Sequence, residues 1–134
     1  MSETYMLDTA ICGYIIKNRP VELKRIFRQH RNDALCISAV TYAELLYGLE
    51  RKPSDKLAHD INEFVVLVTI EEWGYAAAQQ YAKICHCLTS KGGAIGTMDM
   101  QIAAAAIAMN ASLVTNNKKH FSMIPGLTIV DWLS

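Results

Sequence analysis

Three carboxylates, Asp8, Glu44 and Asp99, each stand beside an apolar run. Asp8 closes Thr4-Tyr5-Met6-Leu7, which reads as a short buried strand. Glu44 lies in a stretch that reads as a helix to about Arg51, entered from a strand over residues 34–37 and capped by Ser38. Asp99 falls in the first turn of a helix opened by Gly96-Thr97, near the positive end of the helix dipole. It is the only charged group on that helix, and residues 102–109 are almost all apolar. A strand over residues 112–115 then leads into Asn116-Asn117. If these features share one edge of a sheet, three carboxylates and an amide converge there, and the acids repel one another unless a cation lies between them. Hard oxygen ligands suit Mg²⁺ or Mn²⁺. No His or Cys stands at these places, which argues against zinc.

Each residue also has a plainer reading. Asp8 can simply cap the first helix, and Asp99 can compensate a dipole. Glu44 can close a capping box with Thr41, because Thr-x-x-Glu is that signature. Asn116 and Asn117 are common turn residues. Glu44 fits its plain reading worst. Val40, Glu44 and Tyr47 share a helical face flanked by Leu45 and Leu46, so its carboxylate should be part-buried. A buried charge needs a partner, and none lies nearby in sequence.

The elements that must position these residues alternate. After the first strand, residues 9–18 read as a helix, with Gly13 as an interior weakness. Pro20 restarts a helix at its favoured first position, and Val21, Leu23, Ile26 and Phe27 give it an apolar stripe. Lys52-Pro53 ends the Glu44 helix. Ser54 or Asp55 caps the next, through Leu57, Ile61 and Phe64. A third strand is expected within residues 65–70, a long helix over 71–90 stopped by Gly92-Gly93, and a fifth, edge strand over 127–130. The polar run 116–119 reads as a turn. This alternation predicts an α/β fold: one domain over residues 1–134, a mostly parallel sheet of about five strands, and helices on both faces. Right-handed crossovers put every strand's carboxyl end on one edge.

Lys plus Arg number 13 and Asp plus Glu 13, so no global basic footprint announces nucleic acid. The distribution is uneven, since residues 1–32 carry six cations against three acids. That allows a local basic surface at Lys17, Arg19, Lys24, Arg25, Arg28 and Arg31, or a solvated helix face. Cys12, Cys36, Cys85 and Cys87 have no zinc spacing and read as reduced thiols of a cytoplasmic protein. Asp8 interrupts the only apolar N-terminal run, so no secretory leader is expected. Residues 102–109 are too few to span a bilayer.

Taken together, these residues carry a resemblance. Met6-Leu7-Asp8-Thr9, Ile37-Ser38 with Tyr42-Ala43-Glu44-Leu45-Leu46-Tyr47-Gly48, Ile95-Gly96 with Asp99-Met100-Gln101-Ile102-Ala103-Ala104, and Leu113-Val114-Thr115-Asn116-Asn117 with Phe121 stand in the order and spacing of a PIN domain. More closely, the chain resembles the VapC-type toxin ribonucleases of bacterial toxin–antitoxin pairs, and Pro125-Gly126-Leu127 with Asp131-Trp132 are similar to their enteric branch.

The resemblance implies that Asp8, Glu44 and Asp99 are acidic metal ligands and that Asn117 fills a fourth site position beside Asn116. It implies that Thr9 and Thr115 are hydroxyls orienting the acids, with Ser38 at the start of the Glu44 helix. The family's frequent Asn after Asp-Thr is Ala10 here, which removes one hydrogen bond near Asp8. The implied activity is Mg²⁺- or Mn²⁺-dependent hydrolysis of RNA, with initiator tRNA cut in its anticodon region. The implied partners are a VapB-like antitoxin and a second copy of the chain, with no membrane. On this reading His120 lies with Lys118 and Lys119 on a solvated turn, and no histidine joins the acids. The rival readings are a non-catalytic Rossmann-like binding module and a metal-dependent nuclease acting on other RNA or on DNA.

Overall fold

The computed structural model describes residues 3–92 and 95–133. The elements run β1 (Thr4–Leu7), α1 (Thr9–Lys17), α2 (Val21–Gln29), β2 (Ala34–Ser38), α3 (Ala39–Arg51), α4 (Asp55–Val65), β3 (Thr69–Glu71), α5 (Tyr75–Ser90), α6 (Thr97–Met109), β4 (Ser112–Val114), α7 (Lys118–Phe121) and β5 (Ile129–Val130). The strands form one parallel sheet in the order β3-β2-β1-β4-β5.

Strand alternation sorts the core into two layers, because successive side chains leave a strand on opposite faces. Met6, Cys36 and Leu113 point to one face, where α5 and α6 cover them with Ile84, Leu88 and the run Ile102 to Ala106. Leu7, Leu35, Ile37 and Val114 point to the other, covered by Ile11, Ile15, Leu23, Phe27 and Phe64 from α1, α2 and α4. Helix α6 is apolar nearly all round and correspondingly buried. Burial pushes the Cys12 thiol well up and that of Cys36 to about 12, and all four cysteines are free.

Several boundaries differ from those expected. Residues 65–68 are not strand: α4 runs on to Val65, a turn follows, and β3 begins at Thr69. Val66 and Leu67 are exposed, so the apolar run marks a turn over the sheet edge. Glu71 belongs to β3, paired in register with Ser38, and α5 starts only after Gly74. Pro20 is the N-cap of α2 and precedes its first turn. The polar run 116–119 is partly helical, since α7 begins at Lys118. Gly92 takes φ +71°, the left-handed conformation of a helix stop, while Gly93 lies outside the described residues.

The register positions the site. Leu7 is level with Val114 and Ile37 with Ile70, so Asp8, Ser38 and Thr115 leave neighbouring strands along the same carboxyl edge. The chain steps from β1 to β2 on one side and reaches β4 only later, on the other. That reversal of winding opens a crevice beyond the strand ends, where open α/β sheets bind ligands.

Candidate active site

Asp8 stands at the mouth of that crevice. Its backbone N–H donates to Val114 O (3.1 Å), extending the sheet one step. Its carboxylate caps α1, accepting from Ile11 N at 2.8 Å. The side chain is buried, with the residue only 4% exposed. Burial pushes its carboxyl up from the ordinary range, the Thr115 hydroxyl and the Ile11 N–H pull it back, and Asp99 and Glu44 push it up again. The last two effects place the other acids within electrostatic reach of Asp8, although they stand 36 and 91 positions away in the chain.

Glu44 finds its partner across the fold. Thr9 Oγ1 donates to Glu44 Oε1 at 2.6 Å and lies 3.1 Å from Thr41 Oγ1. Thr9 follows Asp8 directly, so one residue ties the first acid's backbone to the second acid's side chain. The capping box with Thr41 does not form. Ser38 is the N-cap of α3, with Oγ accepting from Val40 N at 3.1 Å, and Thr41 is buried beneath Thr9 and Glu44.

Asp99 lies in the first turn of α6, which starts at Gly96 without a side-chain cap. Trp73 Nε1 donates to Gln101 O at 2.9 Å, in the next turn, and ties the N-terminal half of α6 to the segment before α5. Asp99 Oδ2 is 3.0 Å from His120 Nε2. An ionised carboxylate only accepts, so the proton of that bond sits on Nε2. The histidine is therefore not on a solvated turn, as the sequence suggested, but joins the acidic set. The backbone of α7 carries it there: the N–H groups of His120 and Phe121 both donate to Asn117 O, and Phe121 plugs into the core.

Thr115 is buried and serves two neighbours, Asp8 through its hydroxyl proton and Asn117 N as an acceptor at 3.0 Å. Asn116 and Asn117 are exposed, and their side-chain amides make no described contact with the acids; Asn117 contributes its backbone, as the N-cap of α7. The structure thus gathers Asp8, Thr9, Glu44, Asp99 and Thr115 at the crevice, adds His120, and leaves both Asn side chains at the rim.

Among the described residues no three His, Cys, Asp or Glu side chains lie close enough as they stand to enclose an ion. Glu44 is held by the Thr9 hydroxyl, and Asp99 lies against the His120 imidazole. The donor set nevertheless fits a hard divalent cation, with three carboxylates in one shared field and a single imidazole at its margin.

The PIN domain family profile matches residues 5–127. The chain belongs to the PIN domain family. Among PIN proteins, it is 36% identical over 130 residues to the tRNA(fMet)-specific endonuclease VapC of Shigella flexneri, spanning 96% of this chain and 97% of that protein. It is also 36% identical to ribonuclease VapC2 of Haemophilus influenzae, over 96% of this chain and 98% of that one. The crystal structure of Rickettsia felis VapBC2 bound to a DNA fragment from their promoter superposes with a TM-score of 0.91 at 34% identity, covering 96% of this chain and 98% of its counterpart. A PIN fold with a five-stranded parallel sheet accounts for the architecture described above.

Proposed function

We propose that this PIN protein is a VapC-like toxin: a divalent-metal-dependent endoribonuclease that cuts tRNA, initiator tRNA foremost, and that a VapB-like antitoxin neutralises. The observation that carries this reading is the placement of Asp8 at the carboxyl edge of β1 beside the switch point, with Thr9 next to it holding Glu44 and with Asp99 close enough to raise the Asp8 carboxyl. It is supported by the names of relatives that match along nearly the whole chain, a tRNA(fMet)-specific endonuclease among them, and by likeness to a toxin solved together with its antitoxin.

Asp8, Glu44 and Asp99 are the residues that would hold Mg²⁺ or Mn²⁺. Such an ion, when bound, lowers the pKa of a water and stabilises charge on phosphate. The chain's own part is orientation. Thr9 presents Glu44, Thr115 presents Asp8, and His120 presents Asp99. The N-termini of α1 and α6 add positive dipole ends at the same edge, which favours the anionic phosphodiester. Asn117, Asn116 and the exposed Lys119 stand at the rim, where the nucleic acid backbone would pass. The reaction adds water across one P–O bond of RNA, leaving a phosphate on one fragment and a hydroxyl on the other.

An acidic crevice also suits an inhibitor that inserts a basic side chain, which is the antitoxin chemistry inferred here. Tyr47 and Leu46, exposed on α3, are the apolar groups offered to a second copy. Residues 1–134 act as one domain on this reading. No described helix is long and apolar enough to cross a membrane, and the cytoplasm is the inferred compartment.

The test is to express the chain and sequence the newly formed RNA ends, beside the Asp99→Asn and Glu44→Gln variants. Ends confined to tRNA, appearing only with the unaltered protein, are expected. Growth arrest and RNA cleavage that survive both substitutions would sink the reading, and cleavage of plasmid DNA in place of tRNA would move it to a DNA nuclease.

A further inference from the structure

The charge of the chain sums to zero, yet one surface is strongly basic. Helix α2 carries Lys24, Arg25 and Arg28, and Arg31 follows just past its end. These four, with Asn18 and Gln29, line a shallow hollow of about 500 Å³ that no carboxylate lines. Lys17 and Arg19, exposed at the end of α1 and beyond, lie just before it in the chain. None of Arg25, Arg28 and Arg31 takes part in an ion pair among the described residues. Of the nearby acids, His30 holds Asp33 at 2.9 Å, and Asp60, held by Lys56 at 2.8 Å, also feels Lys24 and lines the adjoining hollow with Glu63, so the cations left without an acid are Arg25, Arg28 and Arg31. Glu22 sits in the first turn of α2 and does not line the hollow.

A helix dipole explains a cation or two at a C-terminus. It does not explain four converging on one concavity with no acid among them. The three arginines, in no ion pair among the described residues, repel one another at a cost that an anion would relieve. Three guanidinium groups are suited to phosphate, which they grip with paired N–H donors.

We infer that this hollow is a second RNA contact, separate from the acidic crevice, which grips the phosphate backbone of a structured RNA while the crevice holds the bond to be cut. The inference rests on the RNA-cleaving reading above and deepens it. Helix α1 links the two places: its nine residues rise about 1.5 Å each from Asp8 to Lys17, about 14 Å in all. A nucleic acid carries a charge about every 3.4 Å per strand, so a folded RNA reaches both, whereas a fragment of two or three nucleotides in the crevice does not. Phosphate contacts of this kind position a substrate without reading its sequence.

The test is binding in EDTA, where no cleavage is required. Filter binding of unfractionated tRNA is measured from 50 to 300 mM salt for the unaltered protein, for Arg25→Gln/Arg28→Gln/Arg31→Gln, and for Arg25→Lys/Arg28→Lys/Arg31→Lys. Each lost phosphate contact should flatten the plot of log affinity against log salt by about 0.7–0.9. The Gln variant is expected to bind about tenfold or more weakly at low salt, with a slope shallower by about 2, and the Lys variant to keep most of both. Equal affinity and slope in the Gln variant would overturn the proposal. So would no tRNA binding by the unaltered protein, an equal loss in the Lys variant, or a loss confined to duplex DNA or to a partner protein. Cleavage by the Asp99→Asn variant decides the nuclease reading separately, so either inference can fail alone.

Discussion

Replacing Asp8 with asparagine should abolish activity and yet leave the metal-free protein more stable at neutral pH. Asp8 is buried, and its carboxyl is raised by that burial and by the field of Asp99 and Glu44. A carboxyl with a raised folded-state pKa penalises the native state once it ionises. Below the unfolded value near 3.8 the penalty is absent. It grows as pH climbs to the folded value and stays in full above it. Asparagine removes the charge but keeps an oxygen that accepts from Ile11 N, and Asn is as good an N-cap as Asp. Relief of a strained functional residue commonly yields about 0.5–2 kcal/mol, which in a chain of this size moves Tm up by about 3–5 °C for each kcal/mol. Alanine at the same position gives up the cap, at about 1 kcal/mol, and leaves the buried Thr115 hydroxyl without its acceptor, so it should fall about 1–2 kcal/mol below asparagine. The assay is thermal or urea unfolding in EDTA from pH 3 to 8. The expected gain for Asp8→Asn shrinks towards zero as pH drops to about 3. A variant less stable than the unaltered protein at pH 7, or a difference that does not change with pH, would refute the argument that Asp8 is held charged against its surroundings.

Three further outcomes follow from the same geometry. Thr9→Val removes the hydroxyl that holds Glu44 and should lower kcat/KM on tRNA about 10–100-fold, with Thr9→Ser restoring most of it. His120→Ala frees Asp99 and should raise the half-saturating divalent-ion concentration by about tenfold, measured by titrating Mn²⁺ into the cleavage assay. Phe121→Ala empties a fully buried site under α7 and should cost about 3–5 kcal/mol in urea unfolding, far more than the neighbouring exposed Lys119→Ala.

How legible the fold was in the sequence varied with the range of the forces involved. β1, α1, β2, α3 and α6 were readable because strand-length apolar runs or local caps mark them. Asp8 caps α1 three residues away, and Ser38 caps α3 two residues away. Residues 65–70 misled because a short apolar run does not distinguish a strand from the last turn of a helix. Leu57, Ile61 and Phe64 hold α4 to helical spacing as far as Val65, and the sheet then claims only Thr69–Glu71. Glu71 looked like a helix start, but pairing with Ser38 decides its conformation, and that partner is 33 residues away.

The candidate site shows the same division more sharply. The acids themselves could be picked out because a charge beside an apolar run is conspicuous in any sequence. Their partners could not. Thr9 reaches Glu44 across 35 residues, and His120 reaches Asp99 across 21. Lys-Lys-His read as a phosphate-facing turn because nothing local reveals that Phe121, buried in the core, rotates α7 so that His120 meets the start of α6. Each acid is thus aimed by a residue on another element, and those elements are set by the register of β1 with β2 and β4. A one-residue slip of β1 would send Leu7 to the face Met6 now occupies and carry Asp8 and Thr9 out of reach of Thr115 and Glu44 together. Burying Met6 and Leu7 on opposite faces is therefore what aligns the acids. The geometry of the crevice is set by packing residues that never touch it.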